Sequence, residues 1–362
     1  MDDLLKVEDL KVSFPLFKGT LKAVDGVSYS VGAGKSLGII GESGSGKSIT
    51  ARAAMRIIPR PGVITDGKIL LDPSQLKPEA RVETWHGSDF SKPIDLAKMH
   101  PGGAALRKVR GGVISMIFQE PMTSLSPVHT IGDQITEAIL LHRTTDKKEA
   151  KEIALEMLDR VRMSNPAQRF REYPHHLSGG MRQRAMIAMA LSCNPSILIA
   201  DEPTTALDVT VQSQILQLMK DLQSEFNMAI QYITHDLGVV AEVADTVAVM
   251  YLGRVVESGS VRQVLKNPQH PYTKGLIGSV PQMAHKSSHR LQTIRGSVPV
   301  PIDPPRRCGF VDRCDFAIKG KCDVHIPALT PLSSGHDVRC FLHSDKTEAE
   351  NSSKPHDIAG AA

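Results

Sequence analysis

One glycine-rich segment of eight residues constrains the fold of this chain more than any other feature. It matches the pattern G-x-x-x-x-G-K-[ST] and comprises Gly41, Glu42, Ser43, Gly44, Ser45, Gly46, Lys47 and Ser48. An apolar run typical of a buried strand precedes it at 36–40, and a helix-forming run follows it and stops at Pro59. In this strand–loop–helix setting, backbone N–H groups curl around phosphate oxygens and the helix start adds partial positive charge. The segment, called the phosphate loop below, predicts a bound nucleoside triphosphate within an α/β fold.

The residue types of the phosphate loop also indicate how a nucleotide is held. Lys47 offers a compact cation to the β and γ phosphates, and the hydroxyl of Ser48 can bind Mg²⁺. Ile49, the next residue, is included among the predicted nucleotide-binding positions. The metal also needs a carboxylate, and the apolar run 197–200 ends in Asp201 and Glu202. We expect Asp201 to hold Mg²⁺ and Glu202 to polarise a water, because a buried strand delivers both acids to the site.

Composition excludes several other classes of protein. Of the 362 residues, 41% are hydrophobic and 23% are charged, an ordinary soluble mixture that rules out a largely disordered or collagen-like chain. A net charge of +4 and an aromatic content of 4% argue against a nucleic-acid partner. No run reaches the roughly 20 apolar residues of a membrane-spanning helix, and the acidic start, Met1 to Asp3, argues against a signal peptide. We therefore expect a cytosolic protein.

The distribution of residue types along the sequence predicts one large structural unit, one small unit and a tail. Strand-like and helical runs alternate up to about residue 262, which is typical of a parallel α/β sheet behind an N-terminal β region. The proline-containing stretch 72–103 is predicted to be a long surface excursion. Prolines become frequent from 263 and four cysteines follow, so we expect a separate small module over 263–343. The polar residues 344–362 are expected to form a disordered tail.

The cysteines are concentrated in the predicted C-terminal module. Four of the five have the spacing C-x5-C-x7-C-x17-C, namely Cys308, Cys314, Cys322 and Cys340. This spacing matches neither the usual zinc motifs nor the common ferredoxin motifs. A reducing compartment and a module with a small core favour a metal or cluster site over free thiols or a disulfide. On residue chemistry alone, zinc and iron–sulfur are equally good candidates, and Cys193 is expected to be a small core residue.

A second motif indicates which family the sequence resembles. The run Leu177 to Arg184, LSGGMRQR, is similar to the signature motif of ATP-binding cassette (ABC) proteins. Further elements of that family occur in the family's order, namely Phe14, Gln119, Ala206, Leu207, Asp208 and His235. Phe14 stands where the family places an aromatic ring on adenine, Gln119 resembles the Q-loop glutamine, and 206–208 resemble the D-loop. Met181 departs from the commonest signature, which has glutamine at this position, peripheral to the phosphate contact.

The resemblance implies a catalytic cycle shared by two cassettes in a head-to-tail dimer. The signature would contact the ATP of the partner subunit through a helix start and a hydroxyl, provided by Ser178, Gly179, Gly180 and Met181. Glu202 would act as general base or position the water, and His235 would hold the γ-phosphate and that water. Gln119 would bind Mg²⁺ together with Ser48 and Asp201, and would couple the site to a partner.

The fold that the resemblance implies is an α/β P-loop NTPase. It has a RecA-like core, an N-terminal antiparallel β part and a helical subdomain over roughly 120–184, all within a cassette of residues 1–262. A small Cys-rich module over 263–343 follows the cassette in this scheme.

Three further stretches, 118–127, 267–273 and 295–299, resemble one branch of the family, the ATPase subunits of bacterial oligopeptide and dipeptide importers. In that branch the ATPase pairs with a second homologous ATPase and docks on two permeases at the cytoplasmic face of the inner membrane. An extracytoplasmic solute-binding protein delivers the substrate. Some members hold a [4Fe–4S] cluster in the C-terminal region, so the resemblance favours that cluster over zinc on Cys308, Cys314, Cys322 and Cys340.

Two alternative functions stay open beside ATP-driven peptide import. Relatives in the same branch carry nickel, sugars or other small solutes, and substrate choice resides in the binding protein and the permeases. The other alternative is a soluble ABC ATPase that acts on nucleic acid or the ribosome. Such proteins usually carry two cassettes or a long coiled-coil insertion, and this sequence has neither. We therefore expect an ATPase that powers solute import, with no nucleic-acid partner.

Overall fold

The computed structural model describes residues 3–77, 92–120, 124–205, 207–279, 294–333 and 335–348. The strands in these ranges are β1 Asp3–Leu16, β2 Gly19–Gly32, β3 Ser36–Ile40, β4 Val63–Leu71, β5 Ile94–Asp95, β6 Ile114–Ile117, β7 Ile197–Asp201, β8 Ala229–Thr234, β9 Thr246–Tyr251, β10 Arg254–Ser260, β11 Thr330–Ser333 and β12 His336–Val338. The α-helices are α1 Lys47–Ala54, α2 Ala104–Gly112, α3 Ile131–His142, α4 Lys147–Arg160, α5 Pro166–Arg169, α6 Gly179–Leu191, α7 Val209–Phe226, α8 Leu237–Val243, α9 Val261–Lys266 and α10 Pro271–Gly278.

The larger of the two sheets positions the functional loops. Its described strands follow the order β11-β12-β10-β9-β3-β8-β7-β6. The pairs β3–β8, β3–β9, β7–β8 and β6–β7 are parallel, and β3, β6, β7 and β8 are buried along their whole length. Such full burial is typical of a parallel sheet with both faces covered. Because the carboxyl ends of parallel strands open at one edge, the loops after β3, β8, β7 and β6 meet there.

The smaller sheet is antiparallel and follows the order β2-β1-β4-β5. Its strands β1, β2 and β4 place Leu5, Val12, Val27 and Ile69 in a core shared with α1 and β3. The prediction of a surface excursion over 72–103 is wrong at its C-terminal end, because β5 pairs with β4 and Ile94 and Leu96 are buried. The middle of the excursion, residues 78–91 with the single tryptophan, lies outside the described residues.

A helical region lies between β6 and β7 along the chain. Helices α3, α4 and α6 form it around buried apolar residues, among them Ile135, Leu158 and Met186. Helix α4 buries one apolar stripe, at Ala150, Ile153, Ala154, Met157 and Leu158. Helix α3 begins with a capping box in which Thr130 and Asp133 bond to each other's backbone N–H groups. The start of α6 lies at the surface, with Ser178 and Gly179 exposed.

The C-terminal residues continue the larger sheet, although the sequence indicates a separate module. Strand β12 pairs with β10, and β11 pairs with β12, both antiparallel. Residues 344–348, assigned to a disordered tail from the sequence, are also bonded: Glu348 pairs with Arg254 at 2.6 Å and with Arg339 at 3.4 Å. The tail prediction therefore begins too early, and residues 349–362 lie outside the described part.

None of the helices in the described ranges combines the length and the apolar character that a bilayer crossing demands.

Candidate functional site

The phosphate loop connects β3 to α1 and depends on glycine at two crowded positions. Gly46 is the N-cap of α1 with a φ of 98°, and a Cβ there would lie 2.3 Å from the carbonyl oxygen of Ala23. Gly41 has a φ of 152°, and its Cβ would lie 2.2 Å from the carbonyl oxygen of Met250. Any larger residue would clash with backbone at either position, so glycine is required for the loop to turn. The exposed middle of the loop, Ser43 and Gly44, faces solvent.

Lys47 lies within the curl of the phosphate loop. Only 6% of it is exposed, and its Nζ donates to the carbonyl oxygens of Gly41 and Glu42 at 2.7 and 3.0 Å. Burial lowers the pKa of Lys47, and this effect is opposed by the nearby carboxylates of Glu202, Asp201 and Glu42. The ammonium is therefore a positioned cation at the point where the loop can receive phosphate oxygens.

Asp201 ends β7 beside the start of α1. It is 1% exposed, and its Oδ1 accepts a hydrogen bond from the Ser48 hydroxyl at 2.9 Å. Its Oδ2 is buried without a hydrogen-bond partner among the described residues, and burial raises the pKa of this carboxyl group. One unpartnered carboxylate oxygen next to a hydroxyl fits the oxygen donors that Mg²⁺ prefers. Ser48 and Asp201 are thus the residues of this site that would hold the ion.

Glu202 brings together residues from three loops. Its Oε2 accepts from Gln119 Nε2 at 3.1 Å and from the Thr205 hydroxyl at 2.8 Å, and its Oε1 lies 3.2 Å from His235 Nδ1. Glu202 also has a φ of 49°, in the left-handed region that non-glycine residues rarely occupy outside strained functional positions. The structure thus brings His235, expected to hold the γ-phosphate and the water, and Gln119, expected to bind Mg²⁺, to the carboxylate of Glu202, the expected general base. Thr205 is a contact that the sequence did not indicate.

The signature residues and the D-loop meet on one surface. Ser178 is the N-cap of α6, where its hydroxyl accepts the Met181 N–H at 3.3 Å. A Cβ on Gly180 would lie 2.9 Å from Val211 of α7, and one on Gly179 would lie 3.7 Å from Leu207. Asp208 caps α7 by accepting the Val211 N–H at 2.9 Å. Ala206, the remaining D-loop position, lies outside the described residues.

Two residues predicted to bind the nucleotide lie further from the phosphate-binding curl. Phe14 is half-buried in β1 and its ring packs at Gly62, where a Cβ would approach it to 2.5 Å. Ile49 in α1 packs against the core of the smaller sheet. The adenine contact of Phe14 therefore stays a prediction from the resemblance.

The four C-terminal cysteines are neighbours. Burial, with a smaller contribution from the nearby thiols of Cys322, Cys340 and Cys314, raises the pKa of the Cys308 thiol to about 12. Burial likewise raises the pKa of Cys340 to about 11. Within the described ranges, however, no group of three or more His, Cys, Asp or Glu side chains is arranged to hold a metal ion. The thiol donors suit zinc or iron–sulfur chemically, but their arrangement does not support the expected cluster.

Two contacts to the phosphate loop come from residues that were not among the predicted site residues. The Arg313 guanidinium pairs with the Glu42 carboxylate at 2.7 Å, and the Tyr272 hydroxyl accepts the Glu42 N–H at 2.8 Å. Their distance from Glu42 along the chain hid them from sequence reasoning. The available signal was position: Tyr272 lies in the stretch 267–273 that resembles the importer branch, and Arg313 directly precedes Cys314.

Comparison with known proteins identifies the family. A family model described as ABC transporter matches residues 24–205, and one described as oligopeptide/dipeptide transporter, C-terminal region, matches residues 256–322. The chain is 48% identical to the oligopeptide transport ATP-binding protein AppD of Bacillus subtilis, over 96% of this chain and 98% of AppD. This chain belongs to the ABC transporter family. It is an ABC ATPase of the oligopeptide/dipeptide branch, and its nucleotide is ATP with Mg²⁺.

Other relatives of this ABC ATPase are of the same kind. The dipeptide transport ATP-binding protein DppD of B. subtilis is 45% identical over 96% of this chain and 97% of DppD. Among solved structures, the dimeric bacterial ABC transporter cassette MJ0796 is similar with a TM-score of 0.59 and 26% identity, over 71% of this chain and 99% of that one. A post-hydrolysis state of MJ0796 bound to ADP and Pi gives the same TM-score at 25% identity. The ABC cassette fold expected from the resemblance is therefore confirmed.

Proposed function

We propose that this ABC ATPase powers the import of oligopeptides or dipeptides through a membrane transporter. The observation that carries the proposal is the match of residues 256–322 to the C-terminal region of oligopeptide/dipeptide transporters. The names of relatives that are similar over nearly their whole length, AppD and DppD, support it. Nickel, sugars and other small solutes stay as alternative cargo. A role on nucleic acid or the ribosome is not favoured by any of these relatives.

The site supports a hydrolytic mechanism in which each residue has a separate task. Lys47 and the N–H groups at the start of α1 bind the β and γ phosphates, and Ser48 and Asp201 hold Mg²⁺, with Gln119 nearby through its bond to Glu202. Mg²⁺ held by Ser48 and Asp201 would supply positive charge next to the phosphate oxygens, where negative charge develops. Glu202 accepts a proton from the attacking water or orients that water. His235, whose Nδ1 lies 3.2 Å from Oε1 of Glu202, keeps the carboxylate and the water aligned.

The exposed signature surface supports a dimer as the hydrolytic unit. Ser178 and Gly179 lie at the surface, and the similar cassette MJ0796 is dimeric. In our proposal these residues, with Gly180 and Met181, contact the ATP of a second homologous ATPase through the N-terminal end of α6. The pair docks on two permeases at the cytoplasmic face of the bacterial inner membrane, and a solute-binding protein delivers the peptide.

Uptake by cells tests the transport proposal. Deleting the gene for this chain should abolish uptake of radiolabelled di- and oligopeptides, and wild-type protein should restore it, whereas Lys47→Ala should not. Uptake of nickel and of a sugar in the same strains is the matched control. Unchanged peptide uptake with a loss of nickel or sugar uptake would overturn the peptide assignment while leaving the ATPase intact. A protein that stays wholly soluble and bound to nucleic acid, whether or not the permeases are present, would overturn the import proposal itself.

The cysteine site is a separate part of the proposal. We keep a [4Fe–4S] cluster on Cys308, Cys314, Cys322 and Cys340, with zinc as the alternative, as a proposal that rests on the chemistry of four neighbouring thiols, although the described side chains are not arranged to hold a metal ion. The role would be structural or sensing, with no part in hydrolysis. Anaerobic purification followed by metal analysis and a visible spectrum decides between the two. Iron and sulfide with absorption near ~400 nm support the cluster, stoichiometric zinc supports the alternative, and metal-free protein contradicts both.

A further inference from the structure

The phosphate loop is held by the C-terminal part of the chain through a single residue, Glu42. Arg313 donates two hydrogen bonds to the Glu42 carboxylate, from Nη1 to Oε2 at 2.7 Å and from Nη2 to Oε1 at 3.0 Å. The Glu42 backbone N–H donates to the Tyr272 hydroxyl at 2.8 Å. Both the side chain and the main chain of a phosphate-loop residue are therefore fixed by residues more than 200 positions later.

Arg313 is itself immobilised by its surroundings. Its side chain is only 5% exposed, and its Nε and Nη2 donate to the carbonyl oxygens of Arg295 and Gly296 at 2.7 and 3.3 Å. The guanidinium also lies over the rings of Tyr251 and Phe310, 5.7 and 5.9 Å from their centroids. Because these contacts already hold the Arg313 guanidinium, it loses little conformational freedom when it pairs with a carboxylate. Its position therefore fixes the position of the Glu42 side chain.

The Tyr272 side chain is likewise held in place by its neighbours. Its ring packs with those of Tyr251 and Phe310 at centroid distances of 4.7 and 5.5 Å. Tyr251 ends β9 in the larger sheet, whereas Phe310 belongs to the C-terminal part, so the aromatic cluster joins the two. Tyr272 is fully buried, and its hydroxyl contacts the phosphate loop.

The contacts that Arg313 and Tyr272 make with Glu42 also affect Lys47, the residue that binds phosphate. The Glu42 carbonyl oxygen accepts from Lys47 Nζ at 3.0 Å, so the main chain of Glu42 lies between the Tyr272 hydroxyl and the Lys47 ammonium. A cavity of about 590 Å³ lies beside this point, between the loop, His235 and the segment 296–298 that Arg313 holds. Movement of Glu42 would therefore displace Lys47 and change the shape of the loop.

We propose that Arg313 and Tyr272 are positioning residues for ATP binding, which hold the phosphate loop in its phosphate-binding shape through Glu42. Neither residue needs to touch the nucleotide, because Glu42 transmits the constraint. The C-terminal part of the chain thus belongs to the nucleotide site, and it sets the affinity of the chain for ATP. This inference concerns ATP binding and does not depend on which solute is transported.

Conservative variants of the full-length chain test the inference by ATP binding and steady-state hydrolysis. Tyr272→Phe removes only the hydroxyl, and Arg313→Lys keeps the charge but loses the two-pronged bond. We expect each to raise the Kd and KM for ATP about fivefold or more, from the loss of a hydrogen bond to a charged or phosphate-binding group, with kcat within about twofold. Arg307→Ala is the matched control, since Arg307 lies in the same segment and pairs with Asp312 at the surface. Its Kd should equal that of wild type.

A double-mutant cycle separates positioning from a general structural role. In a Glu42→Ala background, which leaves no side-chain acceptor for the guanidinium, Arg313→Ala should raise the KM for ATP far less than it does alone, because Arg313 acts through Glu42. An Arg313→Ala effect of equal size in both backgrounds would overturn the inference. So would wild-type Kd values in both Tyr272→Phe and Arg313→Lys, which decide the matter if Arg313→Ala does not fold.

Discussion

His235 Nδ1 lies 3.2 Å from Oε1 of Glu202, on the side of the carboxylate opposite the Gln119 contact. The arrangement follows from the sheet, because β7 lies between β8 and β6. His235 follows β8 and Gln119 follows β6, so the loops of both neighbouring strands reach Glu202, the residue directly after β7. Glu202 also carries a φ of 49°, an unfavourable backbone conformation that the surrounding contacts maintain.

This geometry predicts a separation of binding from turnover at Glu202. Glu202→Gln removes the proton acceptor, so we expect ATP turnover to fall by at least about 100-fold. ATP affinity should change less than about threefold, because Lys47 and the N–H groups at the start of α1 hold the phosphates and Glu202 does not. The variant should also trap the closed dimer with the partner ATPase. Phosphate release and equilibrium ATP binding measure the two effects, with exposed Glu242→Gln as control. Wild-type turnover in Glu202→Gln would refute the role of Glu202.

A second prediction concerns Mg²⁺ at Asp201. Asp201→Asn keeps an oxygen for the Ser48 hydroxyl but removes the charge and the unpartnered Oδ2. We expect the variant to lose at least about tenfold in affinity for ATP with Mg²⁺, which is about 1.4 kcal/mol. In EDTA the variant and the wild type should bind ATP alike, since no metal contact is then at stake. Titrations with a fluorescent ATP analogue under both conditions provide the measurement. An equal loss with and without Mg²⁺ would show that Asp201 shapes the loop and does not hold the ion.

The site residues that could be predicted from the sequence are each marked by a pattern in their immediate sequence neighbourhood. The phosphate loop is contiguous, and Gln119, Asp201, Glu202 and His235 each end or follow an apolar run that is readable as a strand. Parallel strands bring such ends to one edge, so the cluster around Glu202 follows from order and spacing. Thr205 was missed because its hydroxyl is close to Glu202 only through the turn after β7.

The contacts of Arg313 and Tyr272, and the pairing of the C-terminal strands, could not be predicted because they depend on packing between segments that are distant along the chain. Nothing local to Arg313 or Tyr272 indicates Glu42 as a partner, because both residues lie more than 200 positions from Glu42 along the chain. The prolines and cysteines after residue 263 suggested a separate module, but strand pairing at β10 decides otherwise. Edge pairing depends on which strand is left unpaired at the sheet edge, and composition does not reveal that.

A third prediction concerns the anchor of the C-terminal strands. Glu257 in β10 is completely buried and accepts from the N–H groups of Gln269 and His270, both at 2.8 Å, and from His336 Nε2 at 2.9 Å. Glu257→Gln places an amide N–H₂ against one of these donors, so we expect a loss of about 2–4 kcal/mol in the free energy of unfolding. Urea denaturation measures it, with exposed Glu156→Gln as control. A change below about 0.5 kcal/mol would mean that the network does not anchor these strands.

The last prediction is a pH dependence of stability set by His270. This residue is 2% exposed, and its Nδ1 accepts the Tyr272 N–H at 3.0 Å as the cap of α10. Burial lowers the pKa of His270 to about 3, and the neighbouring charges of His343 and Lys274 add to the effect. The nearest carboxylate, Glu257, bonds the His270 backbone N–H and not the ring. The folded chain therefore keeps His270 neutral, while the unfolded chain protonates it below a pKa of about 6.5.

Because the unfolded state binds the extra proton, the stability that His270 contributes is complete above about pH 6.5 and is lost as the pH falls toward 3. At pH 5 the loss should be about 2 kcal/mol relative to pH 7. Asparagine can also cap a helix, so His270→Asn should be less stable than wild type at pH 7 through lost ring packing, yet flatter between pH 7 and pH 5. Urea denaturation at the two pH values measures the difference, and exposed His129→Asn should keep the wild-type slope. A variant that follows the wild-type slope would show that the acid sensitivity of this chain arises at other groups.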